Sequence, residues 1–293
     1  MKIAVLDVGS NTVRLLVAEG RGGRIEPVRQ ARKLLLLGKE VEQIGALSAR
    51  KLEETRRCAR GFAALAREAG AARLEVVVTA PGRQSANADE LVRVLAEATA
   101  ASVRVLSPDE EGRLAWEGAV AAVADPPPML AVCDVGGGST ELLVGTPEQG
   151  PAWARSLDIG CLRLTERLLD RDPPGKKGMR ALRAAVAAAF DGVAAPLPHT
   201  VLATGGTARA LTKLVGERLG EEEFAAAIRR LRKRSSLAIA TATGVDRERA
   251  RTLPAGALIL AEVQRRLGTP VLVSTAGLRE GLALAVLREP AAA

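Results

Sequence analysis

Residues 131–145 have the sequence AVCDVGGGSTELLVG, in which a turn of glycines, a serine and a threonine separates two apolar runs. The first run ends in an aspartate, Asp134. Residues 3–19, IAVLDVGSNTVRLLVAE, repeat this order, with Asp7 before a Gly-Ser-Asn turn. In Rossmann and Walker loops the glycine turn leads into a helix, whereas here it leads into a second apolar run. Both stretches therefore predict strand-turn-strand hairpins.

The same order of elements occurs twice along the chain, on either side of an Asp-Pro-Pro-Pro linker at residues 125–128. Before the linker, the pattern predicts strands over 2–7, 12–18, 74–80 and 103–106 and helices over 48–70, 88–100 and 107–124. After it, the pattern predicts strands over 129–134, 141–145, 153–158, 200–203 and 270–275 and helices from 162, over 178–193 and from 277. We therefore predict two α/β domains, 1–122 and 123–293, related by an internal duplication.

Composition excludes several kinds of site. Three scattered cysteines and one histidine in 293 residues leave little material for a zinc site or a histidine-based triad. Aromatic residues make up only 2% of the chain, which disfavours nucleic acid as a partner despite the net charge of +8. No apolar run approaches the ~20 residues needed to span a bilayer. We expect a cytoplasmic protein with no membrane partner.

The repeated turns have the chemistry of phosphate sites. A hairpin rich in glycine and hydroxyl residues presents several N–H and O–H groups in one direction, which makes an anion nest. Asp7 and Asp134 would repel a phosphate, but they suit a divalent cation or a water molecule that faces one. One such turn could be ordinary Asp-x-Gly turn chemistry. Two copies that open two similar halves favour the functional interpretation.

A third glycine-rich segment has a different context. Residues 201–211, VLATGGTARAL, predict a strand, a Gly-Gly-Thr turn and then a helix. The free N–H groups and the positive end of the dipole at a helix N-terminus also favour anions.

Together these segments resemble the exopolyphosphatase/guanosine pentaphosphate phosphohydrolase (Ppx/GppA) family, within the actin/Hsp70/sugar-kinase superfamily. The resemblance runs nearly end to end, through DVGSNTVRLLV, LGKEVEQIGALS, TAPGRQSAN, SPDEEGRLAWEGA, DVGGGSTELLVG, SLDIGCLRLTERLL, ATGGTARAL, LPAGALIL and STAGLREGL. It implies two ribonuclease-H-like (actin-like ATPase) α/β domains, with the active site in the cleft between them. The chain resembles the short, two-domain form of the family.

The segment SPDEEGRLAW contains two adjacent glutamates with different expected roles. Ser107 is suited to cap a helix, and Glu110 follows at the position of a capping-box partner. Glu111 is not explained by capping. The resemblance implies that Glu111 is the general base, and that Glu141 organises water or a cation near the transferred phosphoryl group.

The resemblance also implies the remaining site residues. Arg83 matches an arginine that reaches toward the phosphate chain, although Pro81 and Gly82 depart from the small and apolar residues usual before it. Thr275 likewise stands where relatives often carry Asp or Gly. The phosphate-binding residues expected besides Arg83 are Gly9, Ser10, Asn11, Thr12, Gly136, Gly137, Gly138, Ser139, Thr140, Gly205, Gly206 and Thr207.

The function expected from the resemblance is Mg²⁺- or Mn²⁺-dependent removal of terminal phosphate from inorganic polyphosphate. The alternatives are a pppGpp 5′-phosphohydrolase and a non-hydrolytic sensor of polyphosphate or (p)ppGpp. A homodimer is a candidate assembly. Arg83, the basic residues at 229–234, Lys176 and Lys177 are candidates for an outer binding track, although 229–234 suits a solvated helix face equally well. We expect this track to be short and to give a preference for short chains or distributive cleavage of long ones.

Overall fold

The computed structural model describes residues 1–21 and 24–289. Its strands are β1 (Lys2–Val8), β2 (Thr12–Arg21), β3 (Arg24–Leu34), β4 (Arg73–Val78), β5 (Val103–Val105), β6 (Leu130–Val135), β7 (Thr140–Thr146), β8 (Gly150–Leu157), β9 (Thr200–Thr204), β10 (Arg218–Leu219) and β11 (Val271–Val273). Its helices are α1 (Leu37–Ile44), α2 (Ala49–Glu68), α3 (Ala80–Gln84), α4 (Ala88–Thr99), α5 (Pro108–Ala121), α6 (Cys161–Leu168), α7 (Lys176–Ala189), α8 (Gly205–Val215), α9 (Glu221–Lys233), α10 (Ser236–Thr243), α11 (Arg247–Leu267) and α12 (Leu278–Arg288). Within the described residues, no helix combines the length and hydropathy needed to cross a membrane.

The chain forms two compact units, each built on a mixed sheet. The second unit is Ala122–Thr275, and the first combines Met1–Ala121 with the segment that begins at Ala276. The strand order is β3-β2-β1-β4-β5 in the first unit and β10-β11-β9-β6-β7-β8 in the second. In each unit the first three strands form an antiparallel meander, and the next strand joins the opposite edge of the first one in parallel. The prediction of two α/β domains is confirmed, and the shared order supports a duplication.

The central strands β1 and β6 are apolar nearly throughout because other strands pair with both of their edges and helices pack against them. In β1 only Lys2 and Asp7 are half-buried, and in β6 only Asp134 is half-buried. All other residues of the two strands are buried. The core of the second unit surrounds the fully buried ring of Phe190, and the guanidinium of Arg266 lies 5.5 Å from the centre of that ring. Asp7 and Asp134 therefore lie half-buried near the ends of two otherwise buried strands.

Two helix starts follow the expected capping chemistry. The hydroxyl of Ser48 accepts a hydrogen bond from Lys51 N–H at the start of α2 (3.2 Å). At α5 the hydroxyl of Ser107 accepts from Glu110 N–H (3.2 Å), and the Glu110 carboxylate accepts from Ser107 N–H (2.8 Å). Hydrogen bonding of the Glu110 carboxylate to the backbone N–H and then to the side chain of Ser107 lowers the pKa of Glu110. The predicted capping box is present.

Helix α12 packs with the first unit, whereas the predicted boundaries placed it in the second domain. A Cβ built on Gly118 of α5 would lie 2.0 Å from the carbonyl oxygen of Gly277. One built on Gly281 of α12 would lie 1.9 Å from the carbonyl oxygen of Leu114. The two helices therefore touch through their backbones, a contact between segments far apart in sequence.

The strand predicted over 74–80 ends at Val78, and α3 follows. Pro81 lies in the first turn of α3, a position that proline favours. A Cβ on Gly82 would lie 2.9 Å from Val105 Cγ1, so the absence of a side chain lets α3 approach β5. The Pro81-Gly82 departure from the family pattern therefore has a local structural reason. The helix predicted to continue to 124 ends at Ala121.

Candidate active site

The first Gly-Ser-Asn turn connects β1 to β2. Gly9 N–H donates to the carbonyl oxygen of Thr12 (3.1 Å) and closes the turn. The carbonyl oxygens of Ser10 and Asn11 accept hydrogen bonds from backbone N–H groups at and just before the start of α1 (2.9–3.1 Å). Because these carbonyls are engaged with the fold, the turn can offer a ligand mainly N–H and hydroxyl donors. That polarity suits an anion.

The second turn connects β6 to β7 and is built in the same way. Gly136 N–H donates to the carbonyl oxygen of Ser139 (3.0 Å). The first three residues of α6 donate to the carbonyl oxygens of Gly136 and Gly137 (2.9–3.0 Å). A Cβ on Gly160 would lie 2.3 Å from the Gly137 carbonyl oxygen, so α6 can start this close only after a glycine. In both units, backbone N–H groups at a helix start donate hydrogen bonds to the carbonyl oxygens of the turn.

A polar row crosses the second sheet beside this turn. Glu141 and Thr204 are the cross-strand partners of Asp134 on its two sides, and Ser156 is the next partner of Glu141. Direct cross-strand partners share a face of the sheet. Glu141 is only 2% exposed, and its Oε1 accepts a hydrogen bond from Ser156 Oγ (3.0 Å). The row places oxygen groups of four strands side by side.

The equivalent row of the first sheet has an arginine where the second sheet has a glutamate. Arg14 is the cross-strand partner of Asp7, at the position that Glu141 occupies opposite Asp134. Arg14 Nε donates to Thr12 Oγ1 (3.1 Å), so the guanidinium is held beside the first turn. The two units are similar in fold and different in the charge beside the turn.

The Gly-Gly-Thr segment starts α8 directly after β9, as predicted. Gly205 has φ +86°, and a Cβ there would lie 2.8 Å from Asp134 Oδ1. A glycine is therefore required for this helix start to approach the carboxylate. Gly206, the second residue of α8, is half-buried. The first residue of α8, Gly205, therefore lies directly beside the Asp134 carboxylate.

Two of the predicted phosphate-binding threonines have structural hydroxyl contacts. Thr207 is fully buried, and its Oγ1 donates to the carbonyl oxygen of Val135 (3.3 Å). Thr140 is also fully buried, and its Oγ1 donates to the carbonyl oxygen of Ile159 (2.7 Å). These hydroxyls fix β6 to α8 and β7 to the segment before α6, so their contacts serve the fold.

Glu111 lies in the first turn of α5 and is 7% exposed. Arg83 Nη2 lies 2.9 Å from Glu111 Oε2, and Arg83 Nη1 donates to the carbonyl oxygen of Leu106 (2.7 Å). The guanidinium offsets the unfavourable burial of the carboxylate charge. The structure thus brings together two predicted site residues, with Arg83 beside the candidate base.

No group of three or more His, Cys, Asp or Glu side chains that could hold a metal occurs among residues 1–21 and 24–289. The predicted ligands Asp7 and Asp134 belong to different units. In the second unit, Thr204 Oγ1 is buried and has no hydrogen-bond partner within the described part of the chain. The oxygen groups around Asp134 are of the kind that a hard cation prefers.

Three polar residues of these sites were not predicted. Ser156 and Arg14 could have been found by aligning the two hairpins and extending each strand pairing by one partner. Arg249 of α11 is largely buried, with its Nη1 3.9 Å from Cys161 Sγ, just behind the second turn. Its place depends on long-range packing, so no local sequence pattern identifies it.

Two mixed α/β units with repeated glycine-rich hairpins define a protein of the actin/Hsp70/sugar-kinase fold. The chain belongs to the Ppx/GppA phosphatase family, whose sequence model matches residues 16–289. Exopolyphosphatase 2 of Mycobacterium tuberculosis is 31% identical over 73% of this chain and 70% of its own length. Exopolyphosphatase 1 of Mycobacterium bovis is 30% identical over 97% of this chain and 88% of its own length.

The solved structures agree with this membership. The Aquifex aeolicus Ppx/GppA family member has a TM-score of 0.83 and 26% identity, with 100% of this chain and 99% of that one covered. An exopolyphosphatase from Cytophaga hutchinsonii has a TM-score of 0.89 at 20% identity, covering 98% of each chain, and supports the fold alone. The family expected from the motifs is confirmed.

Proposed function

We propose that this protein is an exopolyphosphatase, which hydrolyses the terminal phosphoanhydride bond of inorganic polyphosphate. The observation that carries the proposal is the repeated aspartate-hairpin unit, in which the turn carbonyls accept hydrogen bonds from backbone N–H groups at a helix start. Membership of the Ppx/GppA phosphatase family and the mycobacterial relatives named exopolyphosphatases support the same substrate. In this proposal the glycine-rich turns of the hairpins are phosphate-binding elements.

Glu111 is the proposed general base. Its carboxylate takes a proton from a water molecule while the water oxygen attacks the terminal phosphorus. The bond between that phosphorus and the bridging oxygen breaks, and the products are orthophosphate and a chain shortened by one phosphate. Arg83 holds the buried carboxylate in place through its contact at 2.9 Å and its bond to Leu106. Turn donors that face the phosphoryl oxygens would stabilise charge that develops there.

The residues around Asp134 fit a Mg²⁺ ion. Mg²⁺ commonly takes one or two carboxylates and completes its shell with waters and substrate phosphates, so a cluster of three protein ligands is not needed. Asp134 and its neighbour Glu141 would hold the ion in the second unit, and Asp7 is the candidate in the first. A bound divalent cation would supply charge neutralisation at phosphate oxygens.

We also propose a cytoplasmic setting for the enzyme. Cys58, Cys133 and Cys161 are buried free thiols, a state that a reducing compartment maintains. Polyphosphate in that compartment is the substrate that the proposal requires.

The test is phosphate release by the purified chain, with polyphosphates of several lengths and pppGpp as substrates at equal phosphate concentration. A higher kcat/KM for polyphosphate is the expected result. A higher kcat/KM for pppGpp would replace the proposal with the family's other activity. Tight binding of either compound without phosphate release would identify a sensor.

A further inference from the structure

The first unit contains a cavity at the edge of its sheet. Strand β5 pairs only with residues 76–78 of β4, so residues 73–75 of β4 border open space instead of a neighbouring strand. The cavity has a volume of about 800 Å³ and lies between the C-terminal parts of α2 and α4 and the facing sides of α5 and α12. We name this cavity the edge groove. It contains none of the site residues described above.

Part of the lining of the edge groove is apolar, and we call this part its floor. Leu74, Leu114, Leu282 and Val286 line it, together with several alanines. A volume of this size lies within the range of ~300–1,000 Å³ that is typical of small-molecule sites. The groove can therefore cover the apolar body of a ligand of about mononucleotide size.

Arginines and glutamates also line the groove, and the glutamates have partners. The carboxylates of Glu75 and Glu289 contact Arg73, and that of Glu117 lies 3.8 Å from Arg288. Glu110 also lines the groove, but its carboxylate is engaged in the capping box of α5. All four acidic groups thus have partners.

The remaining lining cations make no close ion pair. Within the described ranges, Arg67, Arg104 and Arg113 have no carboxylate within 4 Å, although the positive charge of Arg104 acts on the Glu110 carboxylate. All three are exposed, and they belong to α2, β5 and α5 respectively. Arg104 and Arg113 lie on either side of Glu110 in the sequence, and all three line the groove.

We propose that the edge groove binds an organic phosphate, a phosphate monoester with an apolar body of about mononucleotide size. Guanidinium groups bind phosphate oxygens through charge-assisted, often bidentate hydrogen bonds. The apolar floor distinguishes this ligand from inorganic polyphosphate, which has no apolar part to bury. A ligand in the groove contacts α5, the helix that also carries Glu111.

The test is calorimetric titration of the full chain with adenosine 5′-monophosphate, adenosine and inorganic phosphate as probes. We expect the monophosphate to bind at least about tenfold more tightly than either fragment, because only the monophosphate has both parts. Arg104→Ala/Arg113→Ala is expected to weaken that binding about tenfold or more, as loss of charge-assisted bonds does. The matched control is Arg57→Ala/Arg93→Ala, which removes two exposed arginines of the same unit outside the groove.

Binding of the monophosphate no tighter than that of inorganic phosphate would overturn the proposal. An affinity unchanged in Arg104→Ala/Arg113→Ala would overturn it too, since the probe would then bind elsewhere. Equal weakening in the control variant would show that net charge alone attracts the probe. The readout is binding, so each result is independent of the proposed exopolyphosphatase activity.

Discussion

At the scale of single residues, the two hairpins are distinguished by the group opposite each aspartate. Arg14 stands opposite Asp7, whereas Glu141 stands opposite Asp134. An arginine beside a phosphate turn adds positive charge, while a second carboxylate adds an oxygen ligand for a cation. The cation requirement should therefore depend mainly on the second unit.

Asp134→Asn is expected to raise the Mg²⁺ concentration needed for half-maximal activity by roughly tenfold or more, since an amide binds the ion more weakly than a carboxylate. The measurement is phosphate release against Mg²⁺ concentration. Asp191→Asn, a change at an exposed aspartate of the same unit, is the control and should leave the curve unchanged. Full wild-type activity in excess chelator would contradict the proposed cation.

Ser156→Ala is expected to lower kcat about tenfold with little change in KM. The substitution removes the hydroxyl that donates to the buried Glu141 carboxylate, and a lost bond to a charged group has an effect of that order. Ser156→Thr keeps a hydroxyl and should restore most of the activity. Equal loss in the alanine and threonine variants would argue against a role for this hydrogen bond.

At the scale of helices and strands, α5 is fixed at both ends. The capping box of Ser107 and Glu110 sets its start, and the close contact of Gly118 with the Gly277 carbonyl holds its last turns against the start of α12. These two contacts fix the position of α5, the helix that carries Glu111. Local sequence predicts the first feature, because a capping box lies within four residues. It does not predict the second, which joins two segments that are separated in the sequence by the whole of the second unit.

Gly281→Ala is expected to destabilise the protein by about 1–3 kcal/mol, the usual range for overpacking, because its Cβ would overlap the Leu114 carbonyl oxygen. Denaturant unfolding measures the change. Gly61→Ala is the matched control, since Gly61 lies in α2 and a Cβ added there would have no atom within 4 Å. That variant should gain up to about 1 kcal/mol. Equal stability of the two variants would contradict the backbone contact.

The predicted hairpin strands and the unpredicted strand β3 differ in burial. The hairpin strands were predicted because β1, β2, β6 and β7 are mostly buried and therefore apolar. Strand β3 has no counterpart among the predictions, because residues 26–30 are exposed and polar side chains interrupt its apolar positions. Its place in the sheet depends on pairing with β2 rather than on its own pattern.

At the scale of the whole molecule, the two units share a strand order but divide the sequence unequally. Repeated hairpins and the proline-rich linker predict the duplication, since both are visible in the sequence. The membership of α12 in the first unit is not predictable from those signals, because only packing determines it. The site residues were predicted largely through the family resemblance, and their roles stay proposals.

Burial of the thiols throughout the molecule gives a test of the native packing. Burial raises the pKa of Cys58 to about 11, and it also raises that of Cys133. We expect almost no reaction of the native protein with a disulfide reagent at pH 8, and reaction of all three cysteines in urea. Rapid labelling of the native protein would show that these cores open.

The most direct test of the central claim compares Glu111→Gln with Glu110→Gln in phosphate release from polyphosphate. Glu111→Gln should lower kcat by roughly 10²–10⁴-fold and leave polyphosphate binding nearly unchanged, since the amide keeps the shape but cannot accept the proton. Glu110→Gln keeps a capping-box side chain and should retain near-wild-type turnover. Near-wild-type turnover by Glu111→Gln would contradict the assignment of Glu111 as the base.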